Sequence, residues 1–388
     1  MFIQRDVNCP KLNLIQLVNS FVNSLFPPEY LVPQLSFFAD WLWLIPGYVA
    51  RNELLDSAAQ CLALGYFGYE TKNSFLEYEG RQAYSRALWL LSKAIEDAEV
   101  GLSSDTLCST MLLSFYEIYM RTEKVSWVTH AGGAGRLIQI RGAHRHREGS
   151  DLIMFLGFRA IIIAEAVSSG EPCFLESEDW RDVVALSETH TTSSVTFQLH
   201  DRFSVLFAQV PGFAKQLGDI RGEDRTRLCR GPALEGAAAL RNNFKAWHRE
   251  FISTFPDSAL ESTNMSPNEE TSMIPSQSGS QKVWIAAWLC SYYACLIMLN
   301  TRISQLSEVD TSMENSRLIG KLCIAIGQCA RAGSSGGQCL AFALPVAMSL
   351  CKNELNGWVE KSLADLEGRK GVSEEQIAML RSFVRVKL

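Results

Sequence analysis

The sequence has no excess of positive charge and few charged residues of either sign. Lysine and arginine together number 36 against 42 aspartates and glutamates, so the formal net charge is −6, and charged residues make up 20% of the chain. Binding to nucleic-acid phosphates requires clustered lysine and arginine, usually within a basic domain. We therefore expect no direct binding of this chain to nucleic acid.

Long hydrophobic runs are also missing. The longest apolar stretches, such as 161–164 and 284–290, are far shorter than the roughly 20 residues that cross a bilayer. The N-terminal residues include Arg5, Asp6 and Lys11 and lack the continuous apolar core of a secretory signal peptide. The sequence therefore predicts a cytoplasmic or nuclear protein without a membrane span.

Paired cysteines with metal-site spacing are absent as well. The chain has 11 cysteines, but no two show the C-x2-C spacing of a zinc site, the nearest pairs being Cys290 with Cys295 and Cys323 with Cys329. Most of the cysteines lie within apolar helical patterns, which is typical of buried free thiols. We expect no structural metal.

The usual catalytic motifs are missing or incomplete. Residues 333–337 fit the G-x-S-x-G spacing of a hydrolase nucleophile elbow, but that turn must follow a strand and needs a later histidine, whereas the last histidine is His248. Gly132, Gly133 and Gly135 fit neither a dinucleotide fingerprint nor a phosphate loop, and they predict a close approach of another helix instead. These patterns argue against a hydrolase, a redox enzyme or a metal enzyme, and we expect no cofactor.

Helical periodicity is present along almost the whole chain. Pro27 and Pro28 end a first amphipathic stretch, and Ser74 with Glu77 form a capping box that opens a long helix. The predicted helices are 12–25, one beginning at Ser74, 106–121, 127–141, 147–168, 192–217, 234–255, 283–306, 316–331, 339–355 and one beginning at Ser373. This pattern predicts an all-α fold, a multi-helix bundle or an array of antiparallel helices around one large core.

The domain organisation is interpreted as a single helical domain over residues 1–388, although the length also allows two closely packed halves. Residues 256–281 are rich in serine, proline, asparagine and glutamate and contain almost no aromatic side chains. This composition predicts a disordered surface loop.

The densest polar cluster lies between residues 126 and 149. A helix over 127–141 puts Trp127 and His130 on one face with Arg141, while the basic residues 144–147 predict a solvated turn. A lone histidine on such a face is more often structural than catalytic. If the protein promotes a reaction, the candidate catalytic donors are His130, Arg136, Arg141 and Arg159, and the candidate substrate-binding residues are Trp127, Tyr116 and Tyr119.

Residues 103–180 resemble the fungal-specific transcription factor domain, which follows a binuclear zinc cluster in many regulators. The resemblance rests on the helix LLSFYEIYM at 112–120, on Trp127 and His130, on the pair Arg141 and Gly142, and on the sequence PCFL at 172–175. A weaker match covers 337–358. The resemblance implies an all-α regulatory domain in a nuclear regulator. Because the first helix begins near residue 11, we expect no zinc cluster in this chain and a separate partner that binds DNA.

Two functions fit these observations. The preferred hypothesis is a stand-alone pocket protein of fungal secondary metabolism that binds an apolar small metabolite and promotes a cofactor-free cyclisation or cycloaddition by holding the reacting ends together. The alternative is a transcriptional regulator or co-regulator without its own DNA-binding module, acting as a homodimer or with a regulator partner. The first requires an enclosed cavity of roughly several hundred Å³, and the second an exposed apolar patch.

Overall fold

The computed structural model describes residues 10–25, 40–120, 126–183, 195–220, 227–255, 277–331, 346–347 and 350–351. Within these ranges the regular structure is helical and contains no strand, which confirms the all-α prediction. In chain order the helices are α1 (Pro10–Leu25), α2 (Asp40–Tyr48), α3 (Glu53–Thr71), α4 (Ser74–Glu96), α5 (Ala98–Gly101), α6 (Ser104–Met120), α7 (Ser126–Arg141), α8 (Gly149–Ser169), α9 (178–183), α10 (Val195–Asp219), α11 (Arg227–Thr254), α12 (Gln277–Leu306) and α13 (Ser312–Arg331), with 3-10 turns at Ala143–His146 and Phe174–Glu176.

The chain divides into two compact units. Unit 1 comprises Met1–Glu165 and Ser177–Phe197, and unit 2 comprises Ala166–Glu176 and Gln198–Leu388. In unit 1, α3 packs against α1, α4 and α6, and α6 also packs against α7. In unit 2, α12 packs against both α11 and α13.

Helix α3 forms the centre of unit 1. Asn52 sets its start, because the side-chain oxygen accepts hydrogen bonds from the backbone N–H groups of Leu54 at 2.9 Å and Leu55 at 3.3 Å. Most of its residues are buried, from Leu54 through Gly68. Gly65 and Gly68 lie within α3 and lower its intrinsic helix propensity, and the sequence pattern does not single out this helix.

Glycines allow α3 and α4 to approach at backbone distance. A Cβ atom built on Gly80 would lie 3.0 Å from the backbone nitrogen of Gly65, and one built on Gly68 would lie 2.7 Å from the backbone nitrogen of Glu77. At Gly132 and Gly133 the nearest atoms are instead side-chain atoms, 3.4 and 3.8 Å away. The predicted close approach of backbones therefore occurs at α3 and α4 rather than at those two glycines of α7.

Helix α8 is long and apolar enough to cross a membrane by length and composition. It has 21 residues, and its most apolar window of 18 residues has a mean hydropathy of 1.8. The apolar residues are interrupted by single polar ones, so no uninterrupted run reveals them in the sequence. Since 72% of that window is buried inside the protein, packing in a protein core accounts for its apolar character.

One predicted segment differs from the structure, and several others lie outside the described residues. Helix α12 begins at Gln277, so residues 277–281 are helical rather than part of the expected loop. Residues 256–276, most of 339–355, the glycine-rich segment 333–337 and the helix expected from Ser373 lie outside the described residues.

Candidate functional site

A chain of hydrogen-bonding side chains joins three helices of unit 1. Tyr84 of α4 and His130 of α7 share a hydrogen bond of 2.9 Å between the phenol oxygen and Nε2. The carboxylate of Glu117 on α6, which is 1% exposed, accepts a hydrogen bond from the hydroxyl of Ser126, and its charge acts on Tyr84. We call these four residues the Tyr84 network.

Burial governs the electrostatics of this network. Burial and the nearby Glu117 carboxylate raise the pKa of Tyr84 well above its usual value. Burial lowers the pKa of His130, and the nearby Glu117 charge opposes that change only in part. At neutral pH the network therefore contains a neutral phenol and a neutral imidazole.

The lowered pKa of His130 predicts a loss of stability in acid. The unfolded chain takes up a proton near pH 6.5 whereas the folded protein resists it, so the free energy of unfolding should fall as the pH drops below about 6.5. We expect urea midpoints at pH 7.5 and pH 5 to differ less in His130→Gln than in the wild type. His144→Gln, which changes an exposed histidine, is the control, and equal acid sensitivity of all three proteins would contradict this assignment.

The three predicted substrate-binding residues belong mainly to the core. The ring of Tyr116 is fully buried and stacks on Tyr84, with 4.5 Å between ring centroids. Tyr119 is half-buried and meets Tyr66 edge-on at 6.0 Å, while Trp127 is half-buried in the first turn of α7. The structure brings Tyr116 and His130 together around Tyr84.

The predicted arginine donors occupy three different environments. Arg141 is 4% exposed and forms an ion pair with Asp151, while its Nη1 donates to the carbonyl oxygen of Leu102 at 2.7 Å. Arg136 is exposed and hydrogen-bonds to Gln139 within α7. Arg159 is buried in α8. None of the three is part of the Tyr84 network as the structure describes it.

The basic segment 144–147 is only partly the solvated turn that its composition predicts. His144, Arg145 and Arg147 are exposed, but His146 is completely buried. Its ring packs against Phe155 and Trp180, at centroid distances of 5.9 and 5.6 Å. Burial lowers the pKa of His146, so this residue serves as a neutral part of the core.

A small pocket lies elsewhere in unit 1, among residues of α2, α6 and α8 that include Trp41, Tyr48, Cys108 and Met154. Its empty volume is about 280 Å³ including open solvent, and only about 20 Å³ can hold the centre of a water-sized molecule. That is room for water, whereas sites for drug-sized ligands measure roughly 300–1,000 Å³. None of the predicted site residues lines it, so this pocket gives the cyclase hypothesis no support.

The Tyr84 network can anchor α4 and α7 on α6. Tyr84 and Glu117 were not among the residues that the sequence singles out. Tyr84 lies 46 positions from His130, and only the packing of the helices brings them together. A buried glutamate in the otherwise apolar helix LLSFYEIYM is the one sequence signal that points to such a network.

A known protein family matches a large part of unit 1. Residues 20–194 match the family described as the fungal specific transcription factor domain. The match confirms the resemblance that the sequence shows, and the matched segment contains the Tyr84 network and Arg141. Among the described residues, no group of three or more histidine, cysteine, aspartate or glutamate side chains could hold a metal ion.

One curated relative extends the similarity beyond the transcription factor domain. Uncharacterized protein AN5342 of Emericella nidulans is 24% identical over 243 residues, which is 61% of this chain and 52% of that protein. The chain thus spans about half the length of the curated relative it matches. No solved structure matches the chain.

Proposed function

We propose that this protein is a fungal transcriptional regulator or co-regulator that acts through protein contacts of its helical domain. The observation that carries the proposal is the match of residues 20–194 to the fungal specific transcription factor domain. The net charge of −6 provides no basis for phosphate binding, so DNA contact through a partner fits better than direct contact by these residues. A nuclear location follows from the same proposal.

The geometry of the domain supports a role in binding rather than in chemistry. Two of the candidate donors are engaged in structural contacts, His130 in the Tyr84 network and Arg141 in an ion pair and a bond to a backbone carbonyl. Large apolar side chains are exposed on several helices, including Trp89 at 62% and Met313 at 69%.

A tethering experiment tests the proposal. We expect the full chain, fused to an unrelated DNA-binding module, to change transcription of a reporter severalfold in a fungal host. Arg136→Ala, which alters an exposed side chain, should behave as the wild type. Arg141→Ala, which removes a buried ion pair, should weaken the effect because it destabilises the domain and lowers the amount of folded fusion protein.

Three results would count against the regulator or against one part of the proposal. A fusion that accumulates as folded protein but leaves the reporter at background would contradict the proposal. Conversion of a fungal metabolite by the purified chain without added cofactor, lost on boiling, would establish the cyclase in its place. Binding of the purified chain alone to DNA fragments at physiological salt would contradict the part of the proposal that requires a partner.

A further inference from the structure

Two buried cysteines lie next to each other in unit 2, one on α12 and one on α13. Cys290 and Cys329 are both 0% exposed, and both are in the thiol form. Their helices pack against each other. The Cys290 thiol lies close enough to Cys329 to lower the pKa of Cys329. We call these two residues the cysteine pair.

A contact nearer the turn between α12 and α13 agrees with this pairing. The side-chain nitrogen of Asn315 donates a hydrogen bond to the hydroxyl of Thr301 at 3.1 Å. Cys290 lies 11 residues before Thr301, and Cys329 lies 14 residues after Asn315. These intervals are close to three and four full turns, so each cysteine shares a helix face with the residue that makes the contact. Along the two antiparallel helices the cysteines lie about 17 Å and about 21 Å from that contact, a difference of less than one turn.

The pKa of Cys329 shifts in the opposite direction from the pKa values of other buried cysteines. Burial raises the pKa of four of them, Cys61, Cys108, Cys295 and Cys323. At Cys329 the neighbouring Cys290 thiol outweighs burial and lowers the pKa, because it stabilises the thiolate. The thiolate is the form of cysteine that attacks an oxidant. Cys329 is therefore the more reactive thiol of the cysteine pair.

We propose that the cysteine pair is a peroxide-sensitive switch that forms a reversible disulfide between α12 and α13. The Cys329 thiolate attacks one oxygen of hydrogen peroxide, the O–O bond breaks, and the products are a sulfenic acid and a hydroxide that takes up a proton to become water. The Cys290 sulfur then attacks the sulfenic sulfur, and the S–O bond breaks. The leaving hydroxide takes the Cys290 proton to give a second water. Two thiols are thus oxidised to one disulfide, and one peroxide is reduced to two waters.

The position of the cysteine pair gives the disulfide both access and a structural effect. Cys329 lies two residues before the end of α13 at Arg331, and the ends of helices open readily, which admits a small oxidant. Cys290 and Cys329 are 39 positions apart, so the bond closes a long loop in the unfolded chain and stabilises the packing of α12 with α13. In a reducing compartment such a disulfide is transient, as in redox sensors. The switch belongs to unit 2 and does not depend on the role proposed for the protein.

Disulfide mapping on the purified full chain tests the switch without any substitution. Reduced wild-type protein is treated with excess hydrogen peroxide, its remaining thiols are alkylated in denaturant, and tandem mass spectrometry of the peptides locates each disulfide. We expect a bond between Cys290 and Cys329 that dithiothreitol removes. Absence of this bond after peroxide treatment, or a disulfide that joins Cys295 to Cys323 or to Cys351 in its place, would overturn the proposal.

Urea unfolding gives the second measurement. Oxidised wild-type protein should have a higher urea midpoint than the reduced protein, because the disulfide restricts the unfolded chain. Cys323→Ser alters another buried cysteine of α13 and is the matched control, so it should keep this difference, whereas Cys329→Ser should lose it. In Cys290→Ser, peroxide should leave a sulfenic acid on Cys329 that dimedone traps. An equal rise of the midpoint in oxidised Cys329→Ser would contradict the proposed pairing.

Discussion

Arg141→Ala is expected to lower the free energy of unfolding by about 3–5 kcal/mol, because it breaks a buried ion pair and leaves its partners without compensation. The Arg141 side chain pairs with Asp151, donates to the carbonyl oxygen of Leu102 at 2.7 Å and reaches the hydroxyl of Ser104 at 3.2 Å. Burial lowers the pKa of Arg141, while the Asp151 carboxylate opposes that change and keeps the guanidinium charged. Urea unfolding followed by circular dichroism measures the loss.

Arg136→Ala is the matched control for this prediction. Arg136 belongs to the same helix but is exposed, and its hydrogen bond joins only Gln139 one turn away. Its removal should change stability by less than about 0.5 kcal/mol. The double variant Arg141→Met/Asp151→Leu should recover part of the loss, because apolar side chains of similar volume can replace a buried pair. An unchanged urea midpoint for Arg141→Ala would mean that the ion pair does not stabilise the fold. Arg141 would then again be a candidate catalytic donor.

Most of the helices could be predicted from the sequence, including α6 and α8, which are largely buried. The capping box at Ser74 and Glu77 correctly predicts where α4 begins, although the cap itself is Asn73, whose side chain accepts from the N–H of Phe75 at 3.0 Å. The start of α13 is four residues earlier than predicted, because Asp310 accepts from the N–H of Ser312 and begins the helix there. Helix α3 is not predicted, because Gly65 and Gly68 lower its intrinsic helix propensity.

In the candidate site, sequence spacing predicts which face of a helix a residue lies on, but it does not predict the residue's partners from other parts of the chain. Helical spacing correctly predicts that Arg141 lies on the buried face of α7 with Ala134. The partners of Arg141 lie outside α7, and sequence spacing gives no indication of Leu102 or Asp151. Composition likewise predicts a solvated segment around His146, but the apolar rings of Phe155 and Trp180 cover that histidine. The roles of these side chains are decided by tertiary packing, which a single sequence does not encode at fixed spacing.

Trp41→Ala is expected to be as damaging as the loss of Arg141, with a cost of about 3–5 kcal/mol. Trp41 is fully buried in unit 1 and packs against Phe115, with 5.4 Å between ring centroids. Removal of the indole loses its burial and leaves a cavity beside the small pocket of α2, α6 and α8. Trp41→Phe should cost less, because the smaller ring leaves a smaller cavity. Equal midpoints for the wild type and Trp41→Ala in urea unfolding would contradict this role.

Gly157 provides a sharper test of its contact with Trp41. Adding one methyl group at position 157 should destabilise the wild type but stabilise the Trp41→Ala variant. A Cβ atom on Gly157 would lie 2.3 Å from Cδ1 of Trp41, so Gly157→Ala should cost about 1–3 kcal/mol in the wild type through overpacking. In Trp41→Ala the methyl group enters empty space, and the higher helix propensity of alanine should then stabilise α8 by about 1 kcal/mol.

Gly47→Ala, where no atom lies within 4 Å, should have the same effect in both backgrounds. The same effect of Gly157→Ala in both backgrounds would show that α2 and α8 are not coupled through this ring, since residues in contact are the ones whose effects fail to add.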